Sequence, residues 1–292
     1  MTVLAVAVLE REPALLAGFD DGRVVAVAAG TERVICTMNA PVESLAVTAD
    51  QTTVIATDTA GAVEYRALAD GRLELSLSWA NKIKVAAALD ADRHAGVDSK
   101  GNFVLWSRDG GAFVSTALRN NISGMAVRED GLVVLTRALR WLLWDPFTSA
   151  FTQPFETVDG MRLSQQNGTA GVSRNGRFFY VYWDDFLLFD AVTGAPLREG
   201  RSAWYVHTTS LSDDGRLLLM GGKAGWLGAV DDKDELVLDL RVGEDDVHDV
   251  VLSPDGRLGA WRDRAGRAGL IDVAARQVIR AVHAISTAPT DE

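Results

Sequence analysis

The sequence predicts an all-β protein assembled from a repeated unit of about 40 residues. Three observations support this prediction. A tight turn recurs along the chain, an apolar residue recurs with the same period, and no stretch places apolar residues every 3.6 positions as a helix would. We therefore expect strands along most of the chain and almost no helix.

The recurring turn has the composition of a hairpin connection, with Asp or Asn directly before a glycine. Four copies are regular, and their glycines are 45, 39 and 41 positions apart: Gly131, Gly176, Gly215 and Gly256. The same position continues toward the N-terminus in a less regular form at Pro13, Gln51 and Arg93. Because each copy lies between two short apolar segments, the sequence predicts seven such hairpins.

The second repeat is an apolar residue near the end of the third strand of each unit. It occurs at Val27, Tyr65, Trp106, Trp144, Phe189, Val230 and Ile271. These positions are 38, 41, 38, 45, 41 and 41 residues apart, so they include the same single long step as the turns. Two repeats that agree in period and in the long step indicate seven structural units.

Each unit contains four short segments rich in Val, Leu, Ile and aromatic residues, separated by Gly, Asp and Asn. In the last unit these segments are Val247 to Leu252, Leu258 to Trp261, Ala268 to Asp272 and Gln277 to Val282. Four strands in about 40 residues is the size of a propeller blade. The sequence therefore predicts a seven-bladed β-propeller with four antiparallel strands per blade, as one domain over residues 1–282 followed by a tail at 283–292.

The two ends of the chain predict how the ring closes. Val3 to Val8 has the pattern of the innermost strand of the first blade, and Gln277 to Val282 would be the outermost strand of the last blade. The first and last blades then share no strand. We expect them to close the ring by packing sheet face against sheet face, with pairing by the tail His283 to Thr287 as the alternative.

The composition limits the partners and the location. The formal net charge is −11 and the pI is near 4.9, so the summed field repels nucleic-acid phosphates and anionic lipids, and we expect neither nucleic acid nor membrane as a partner. The start, MTVLAVAVLEREP, lacks the basic region and cleavage site of a signal peptide. Cys36 is the only cysteine, which is typical of a reducing compartment. Because arginine and alanine outnumber lysine as in GC-rich bacterial genomes, we expect a bacterial cytoplasmic protein.

Four segments resemble the middle and end of WD repeats: LAGFDDGRVVAVA from Leu16, VDSKGNFVLW from Val97, WLLWD from Trp141 and SPDGRLGAW from Ser253. The chain departs from that family because it has no Gly-His pair and because, at the third-strand ends, only Trp144-Asp145 keeps the Trp-Asp dipeptide. The resemblance implies a WD-like propeller of a degenerate bacterial type, a fold that commonly serves as a binding scaffold.

No motif predicts catalysis, a cofactor or a metal. The four histidines, at positions 94, 207, 248 and 283, fall in different units without ligand spacing. No glycine-rich phosphate loop or GxSxG elbow occurs. Adjacent aspartates such as Asp184-Asp185 are typical of solvated turns and not of paired catalytic carboxylates.

A partner-binding surface is predicted on one face of the ring. In a propeller, the segments joining one blade's outer strand to the next blade's inner strand share a face with the turns between second and third strands. On that face we place Trp79, Lys82, Arg119, Arg140, Asp184, Asp185, Arg201 and Trp204. Exposed Trp and Arg are enriched at binding hot spots. In the alternative interpretation Trp79 and Trp204 only cover the top of the core. The long step adds polar sequence, Thr157 to Gly168, to the same face.

The sequence favours a non-enzymatic scaffold that binds a protein partner on the propeller rim or at the channel mouth. A multi-component bacterial assembly is one setting for such a scaffold, and we expect the chain alone to be a monomer. Two alternatives stay open: a hydrolase or lyase with its site in the central funnel, and a small-ligand sensor that uses the same funnel.

Overall fold

The computed structural model shows seven antiparallel sheets of four strands each, arranged in a ring. It describes residues 2–11, 13–28, 30–48, 50–90, 93–107, 109, 112–117, 122–137, 140–146, 148, 150–152, 169–182, 185–201 and 206–282. In each sheet four consecutive strands pair in chain order, so each sheet is one blade. The chain is thus a seven-bladed β-propeller, which confirms the fold predicted from the repeats.

The first strand of each blade lies nearest the ring axis. Blade 1 contains β1 (Val3–Leu9), β2 (Ala14–Phe19), β3 (Arg23–Ala28) and β4 (Thr31–Thr37). Blade 2 contains β5 (Val42–Val47), β6 (Thr53–Asp58), β7 (Ala62–Ala67) and β8 (Leu73–Ser78). Blade 3 contains β9 (Ile83–Ala88), β10 (Arg93–Asp98), β11 (Asn102–Ser107) and β12 (Ala112–Ala117).

The remaining four blades repeat this order. Blade 4 contains β13 (Ile122–Val127), β14 (Val133–Arg137), β15 (Arg140–Asp145) and β16 (Ala150–Thr152). Blade 5 contains β17 (Thr169–Val172), β18 (Phe178–Tyr182), β19 (Asp185–Asp190) and β20 (Pro196–Arg201). Blade 6 contains β21 (Val206–Leu211), β22 (Leu218–Gly222), β23 (Trp226–Val230) and β24 (Leu236–Arg241). Blade 7 contains β25 (Val247–Leu252), β26 (Leu258–Asp263), β27 (Ala268–Asp272) and β28 (Gln277–Val282).

Within the described ranges the single helical element is a 3-10 turn at Lys223–Gly225. No helix in that part of the chain is long and apolar enough to cross a membrane.

The predicted strand bounds agree closely with the structure. In blade 7, β25, β27 and β28 match, whereas β26 continues two residues past Trp261 because Arg262 and Asp263 still pair with β25. Arg93 begins β10 and does not end the preceding turn. The predicted tail, residues 283–292, lies outside the described residues.

The core lies between the blades. In the described part of the chain, buried apolar side chains form seven clusters, and each cluster joins two neighbouring blades. Between blades 2 and 3, for example, Tyr65 packs with Ile83 and Trp106. The apolar repeat of the sequence contributes to six of these seven clusters, and six of its seven members are buried while Val230 is half-buried. Face-to-face packing of this kind is expected in a repeat protein whose units contact only their neighbours.

The ring closes as predicted. Over the described residues 2–282, the first and last sheets, β1–β4 and β25–β28, are separate and share no strand. Their contact is an apolar cluster in which Val3, Val6 and Val8 pack with residues of β26 and β27. One backbone hydrogen bond crosses the contact, from the Val3 amide to the Gly266 carbonyl at 3.1 Å.

The recurring turn has one hydrogen-bond pattern in blades 5, 6 and 7. In blade 7 the buried Ser253 hydroxyl donates to Asp255 Oδ1 at 2.6 Å and accepts from the Leu258 amide at 2.9 Å. The Arg257 amide donates to the same carboxyl oxygen at 3.0 Å, and Gly256 has a φ of 74°. Since a serine and an acidic or amide side chain satisfy the turn locally, the sequence of these four residues determines its shape.

Blade 2 builds the same turn without a glycine. The Thr48 hydroxyl donates to Asp50 Oδ1 at 2.6 Å and accepts from the Thr53 amide at 3.1 Å. Gln51 occupies the glycine position with a φ of 57°, a left-handed conformation that is unfavourable for a side chain. This explains why Gln51 fits the period of the repeat although its residue type does not.

Replacing Ser253 by Ala tests the turn network. The change leaves the Leu258 amide without its acceptor in a buried position, so we expect the free energy of unfolding to fall by about 2 kcal/mol. Urea unfolding measures it, with Ser76→Ala on the exposed edge strand β8 as the matched control. Equal effects of the two substitutions would contradict a stabilising role of the turn.

Candidate functional site

The predicted binding face is well described on one side of the ring. We call it the top face; it carries the connections between blades and the turns between second and third strands. The described connections are residues 38–41, 79–82 and 242–246, and the described turns are 20–22, 59–61, 99–101, 223–225 and 264–267. Together they form a continuous arc over blades 6, 7, 1, 2 and 3.

A bulge recurs at the top-face end of six innermost strands. In six blades the pairing with the second strand skips the second residue of the first strand. The skipped residues are Leu4, Glu43, Lys84, Ser123, His207 and His248, and we call this set the mouth ring. The mouth ring lies on the innermost strands at the top face, so it surrounds the upper end of the channel. At a bulge the side chain departs from the regular alternation along the strand.

Most mouth-ring positions carry polar or charged groups. Lys84 and His248 are exposed, and Glu43 and His207 are half-buried. Glu43 Oε1 lies 2.9 Å from Lys82 Nζ, so a predicted site residue pairs with the ring. The His207 and His248 imidazoles stack nearly parallel, with centroids 5.8 Å apart.

Asp246 completes the blade 6 to blade 7 side of this mouth. Its Oδ2 lies 3.4 Å from His207 Nε2, and its Oδ1 accepts the Ala224 amide at 3.0 Å. That backbone hydrogen bond and the neighbouring cationic groups hold the pKa of Asp246 below its usual value. Asp246 is therefore a fixed negative charge beside the histidine pair.

The wall of the channel carries a second carboxylate, Asp249 on β25. Burial raises its pKa, and Arg262, whose Nε lies 3.9 Å from Asp249 Oδ2, acts in the opposite direction. In the described part of the chain no three His, Cys, Asp or Glu side chains lie close enough together to hold a metal ion.

Buried aspartates fix three of the top-face turns. Asp58, Asp98 and Asp263 are at most 1% exposed, and each begins an Asp-x-x-Gly turn. Each Oδ1 accepts the amide four residues later, at 2.8, 2.8 and 2.9 Å respectively. A buried carboxylate that accepts backbone amides holds the turn in one shape, so the exposed residues of the turn are presented rigidly.

Trp79 belongs to the Asp98 network. Its indole nitrogen donates to Asp98 Oδ2 at 3.1 Å, and Asn81 and Asn102 donate to the same oxygen at 2.9 and 2.8 Å. The Trp79 ring is half-buried and meets Trp106 edge-on at 6.3 Å. The structure therefore gives Trp79 the covering role of the alternative interpretation, and contact with a partner stays a prediction.

The other predicted site residues divide into two groups. Arg140 and Asp185 are the first residues of β15 and β19, and Arg201 is the last residue of β20, which places their backbones at the top face. Arg119, Asp184 and Trp204, as well as Thr157 to Gly168, lie outside the described residues.

Sequence reasoning missed the mouth ring. Its members share a signal that the period could have revealed, because a Val or Ile precedes each of them and their spacing follows the blades. The steps from Leu4 to Glu43, Lys84 and Ser123 are 39, 41 and 39 residues, and His207 to His248 is 41. The bulge itself is invisible in the alternation of apolar and polar residues.

A cavity of about 340 Å³ lies between blades 4 and 5 on the face opposite the top face. Residues of three turns line it: Arg128, Glu129, Asn175, Arg177, Asp190, Val192 and Thr193. It is far from the mouth ring in the fold and open to solvent, and none of the predicted site residues contributes to it.

Comparison with known proteins supports the fold. No family model matches the chain, and no curated protein sequence matches it. The chain is similar to the β-propeller domain of Cps50 (Swd1) from Myceliophteria thermophila, with a TM-score of 0.72 and 12% sequence identity over 92% of this chain and 95% of that chain. Because 1773 solved chains are similar, the likeness establishes a β-propeller and selects no function. The WD-repeat resemblance of the sequence stays a prediction.

Trp79→Phe tests whether the indole stabilises the top face. The variant keeps an aromatic ring beside Trp106 but removes one donor to the buried Asp98, so we expect a loss of about 2 kcal/mol in urea unfolding at neutral pH. Trp226→Phe is the matched control, since its indole donates to Asp239 at an exposed site at 3.0 Å. There we expect a change below about 0.5 kcal/mol. Equal losses would rule out a special role of the Asp98 network.

The same network predicts a pH dependence. Burial alone raises the pKa of Asp98, but the hydrogen bonds from Asn102, Trp79 and Asn81 together hold it below the usual value. The ionised carboxyl therefore stabilises the fold above its unfolded pKa of about 4, and this contribution disappears as the pH falls through the folded pKa. The stability difference between wild type and Trp79→Phe should shrink on acidification. A difference that is constant from neutral pH to about pH 3 would contradict an ionised acceptor.

Proposed function

We propose that the chain is a non-enzymatic interaction scaffold that binds a protein partner on its top face, around the mouth of the channel. The observation that carries the proposal is the recurrent bulge of the mouth ring. Six blades give up one regular strand pair each at the same level, and most of the residues so freed are polar. Bulges with a shared position are typical of surfaces that direct side chains toward a ligand.

The charged residues of the top face indicate which charged groups a partner would present to it. Lys82, Lys84 and Lys100 lie on the side of blade 3, whereas the connection from blade 6 to blade 7 carries Glu244, Asp245 and Asp246. Charge complementarity across an interface fixes orientation more than it adds affinity. A partner that presents acidic groups toward the lysines of blade 3 fits this surface, since on the side of blade 7 Asp245 is already paired with Arg267 at 3.1 Å.

Rigid turns support the proposal. The turns that begin with Asp58, Asp98 and Asp263 are held by buried carboxylates, so a partner that binds them orders little additional chain. Binding to a preorganised surface costs less conformational entropy. The proposal includes a bacterial cytoplasmic setting, which the single cysteine, Cys36, supports because one thiol cannot form an internal disulfide.

Charge reversal of Lys84 tests the proposal. Lys84 is exposed on the mouth ring, and Lys233 is an exposed lysine in a turn on the opposite face of blade 6. We expect Lys84→Glu to reduce recovery of a specific partner about tenfold, since it places like charges against each other, and Lys233→Glu to leave recovery unchanged. Partners are quantified by mass spectrometry after affinity capture from the native host. Equal recovery with both variants, or a loss only with Lys233→Glu, would contradict binding at the top face.

A further inference from the structure

The contact between blades 7 and 1 differs from the other contacts between blades. Elsewhere the chain itself passes from one blade to the next, but blades 7 and 1 are the two ends of the ring. Their contact consists of an apolar cluster, the Val3 to Gly266 hydrogen bond and an exposed ion pair between Arg280 and Glu32 at 3.3 Å. Exposed ion pairs add little stability. We call this contact the seam.

We call the face opposite the top face the bottom face. On either side of the seam, hydrogen bonds link the bottom-face turns of neighbouring blades. The backbone amide of Asn175 in blade 5 donates to Asp213 Oδ1 of blade 6 at 3.0 Å, and the Asn175 side-chain amide donates to the Asp213 carbonyl at 2.9 Å. The Asp213 amide in turn donates to the Pro254 carbonyl of blade 7 at 2.9 Å. Blades 5, 6 and 7 are therefore connected in series.

Blades 1 and 2 form a second linked group. The Glu10 amide donates to Gln51 Oε1, and Gln51 Nε2 donates to Glu10 Oε1, both at 3.1 Å. Gln51 makes these bonds from the unfavourable left-handed conformation. A strained residue persists only where its surroundings hold it. The hydrogen bonds between Glu10 and Gln51 therefore offset the conformational free energy that the backbone of Gln51 costs.

Arg174 connects the two groups across the channel. It belongs to the first turn of blade 5, and its Nη1 donates to Glu10 Oε1 of blade 1 at 3.1 Å. Its Nη2 donates to the carbonyls of Val47 and Thr48 in blade 2, at 2.8 and 3.3 Å. Blade 5 lies opposite blades 1 and 2 in a ring of seven, so the side chain spans the bottom end of the channel.

The surroundings of Arg174 favour this bridge. The Arg174 and Glu10 side chains are 33% and 26% exposed, so water screens the pair only partly. Arg174 also interacts favourably with the Asp213 carboxylate of blade 6. A planar guanidinium with several donors can bind a carboxylate and two carbonyls at the same time, which a lysine ammonium on its flexible stem does less well.

We propose that Arg174 is a strut that holds the ring closed at the seam and shuts the bottom end of the channel. By joining blade 5 to blades 1 and 2, it ties the series of blades 5, 6 and 7 to the pair on the other side of the seam. Opening the seam would then also require breaking the Arg174 contacts.

Native-state hydrogen exchange of Arg174→Ala tests the strut. The reporter is the Val3 amide, whose hydrogen bond to Gly266 crosses the seam far from Arg174. We expect exchange at Val3 to accelerate about tenfold. The Val242 amide, which donates to the Gly225 carbonyl within blade 6 at 2.9 Å, should exchange as in wild type.

Arg177→Ala is the matched control, because Arg177 lies in the same turn and its guanidinium packs on Phe178 of its own blade, 5.1 Å from the ring centroid. It should leave exchange at Val3 unchanged. Equal exchange at Val3 in the two variants would overturn the proposal. If Arg174→Ala does not fold, exchange is measured in Arg174→Lys. An acceleration at Val3 below about tenfold but above wild type supports the strut, and wild-type exchange overturns it.

Discussion

The structure depends on one constraint: each blade can bury its apolar faces only against its two neighbours. The seven clusters of the described core all lie between blades, and side chains such as Trp106 and Phe179 are fully buried there. A four-stranded sheet on its own would leave both faces in water. Closure of the ring is therefore a condition for the stability of every blade, and the seam between blades 7 and 1 is where that condition is met without a covalent link.

The ring has two different ends. At the bottom, Arg174 crosses the channel and the turns bind one another. At the top, buried aspartates such as Asp98 fix the turns from below, and Lys84 of the mouth ring is exposed. Arg174 and Asn175 of the bottom face bind other blades of the same chain, and the proposed partner-binding surface is the top face, where Lys84 and His248 are exposed.

Local features of the fold could be predicted from the sequence, because the repeat is carried by local chemistry. The turn at Ser253 to Gly256 closes on its own side chains, and residues such as Trp144 mark the strand that packs on the preceding blade. Contacts distant in sequence could not be predicted in the same way. Arg174 and Glu10 are 164 residues apart, and no period relates an arginine in one turn to a glutamate in another. The bulges were missed because alternation assumes an unbroken ladder, and the bond of Trp79 to Asp98 was not foreseen.

Calorimetry of the intact chain tests the dependence of each blade on its neighbours most directly. A closed ring in which every blade needs both neighbours should unfold in one transition, with equal calorimetric and van't Hoff enthalpies. An open array of repeats loses its units more independently. Two or more separate transitions, or a calorimetric enthalpy well above the van't Hoff value, would contradict the account.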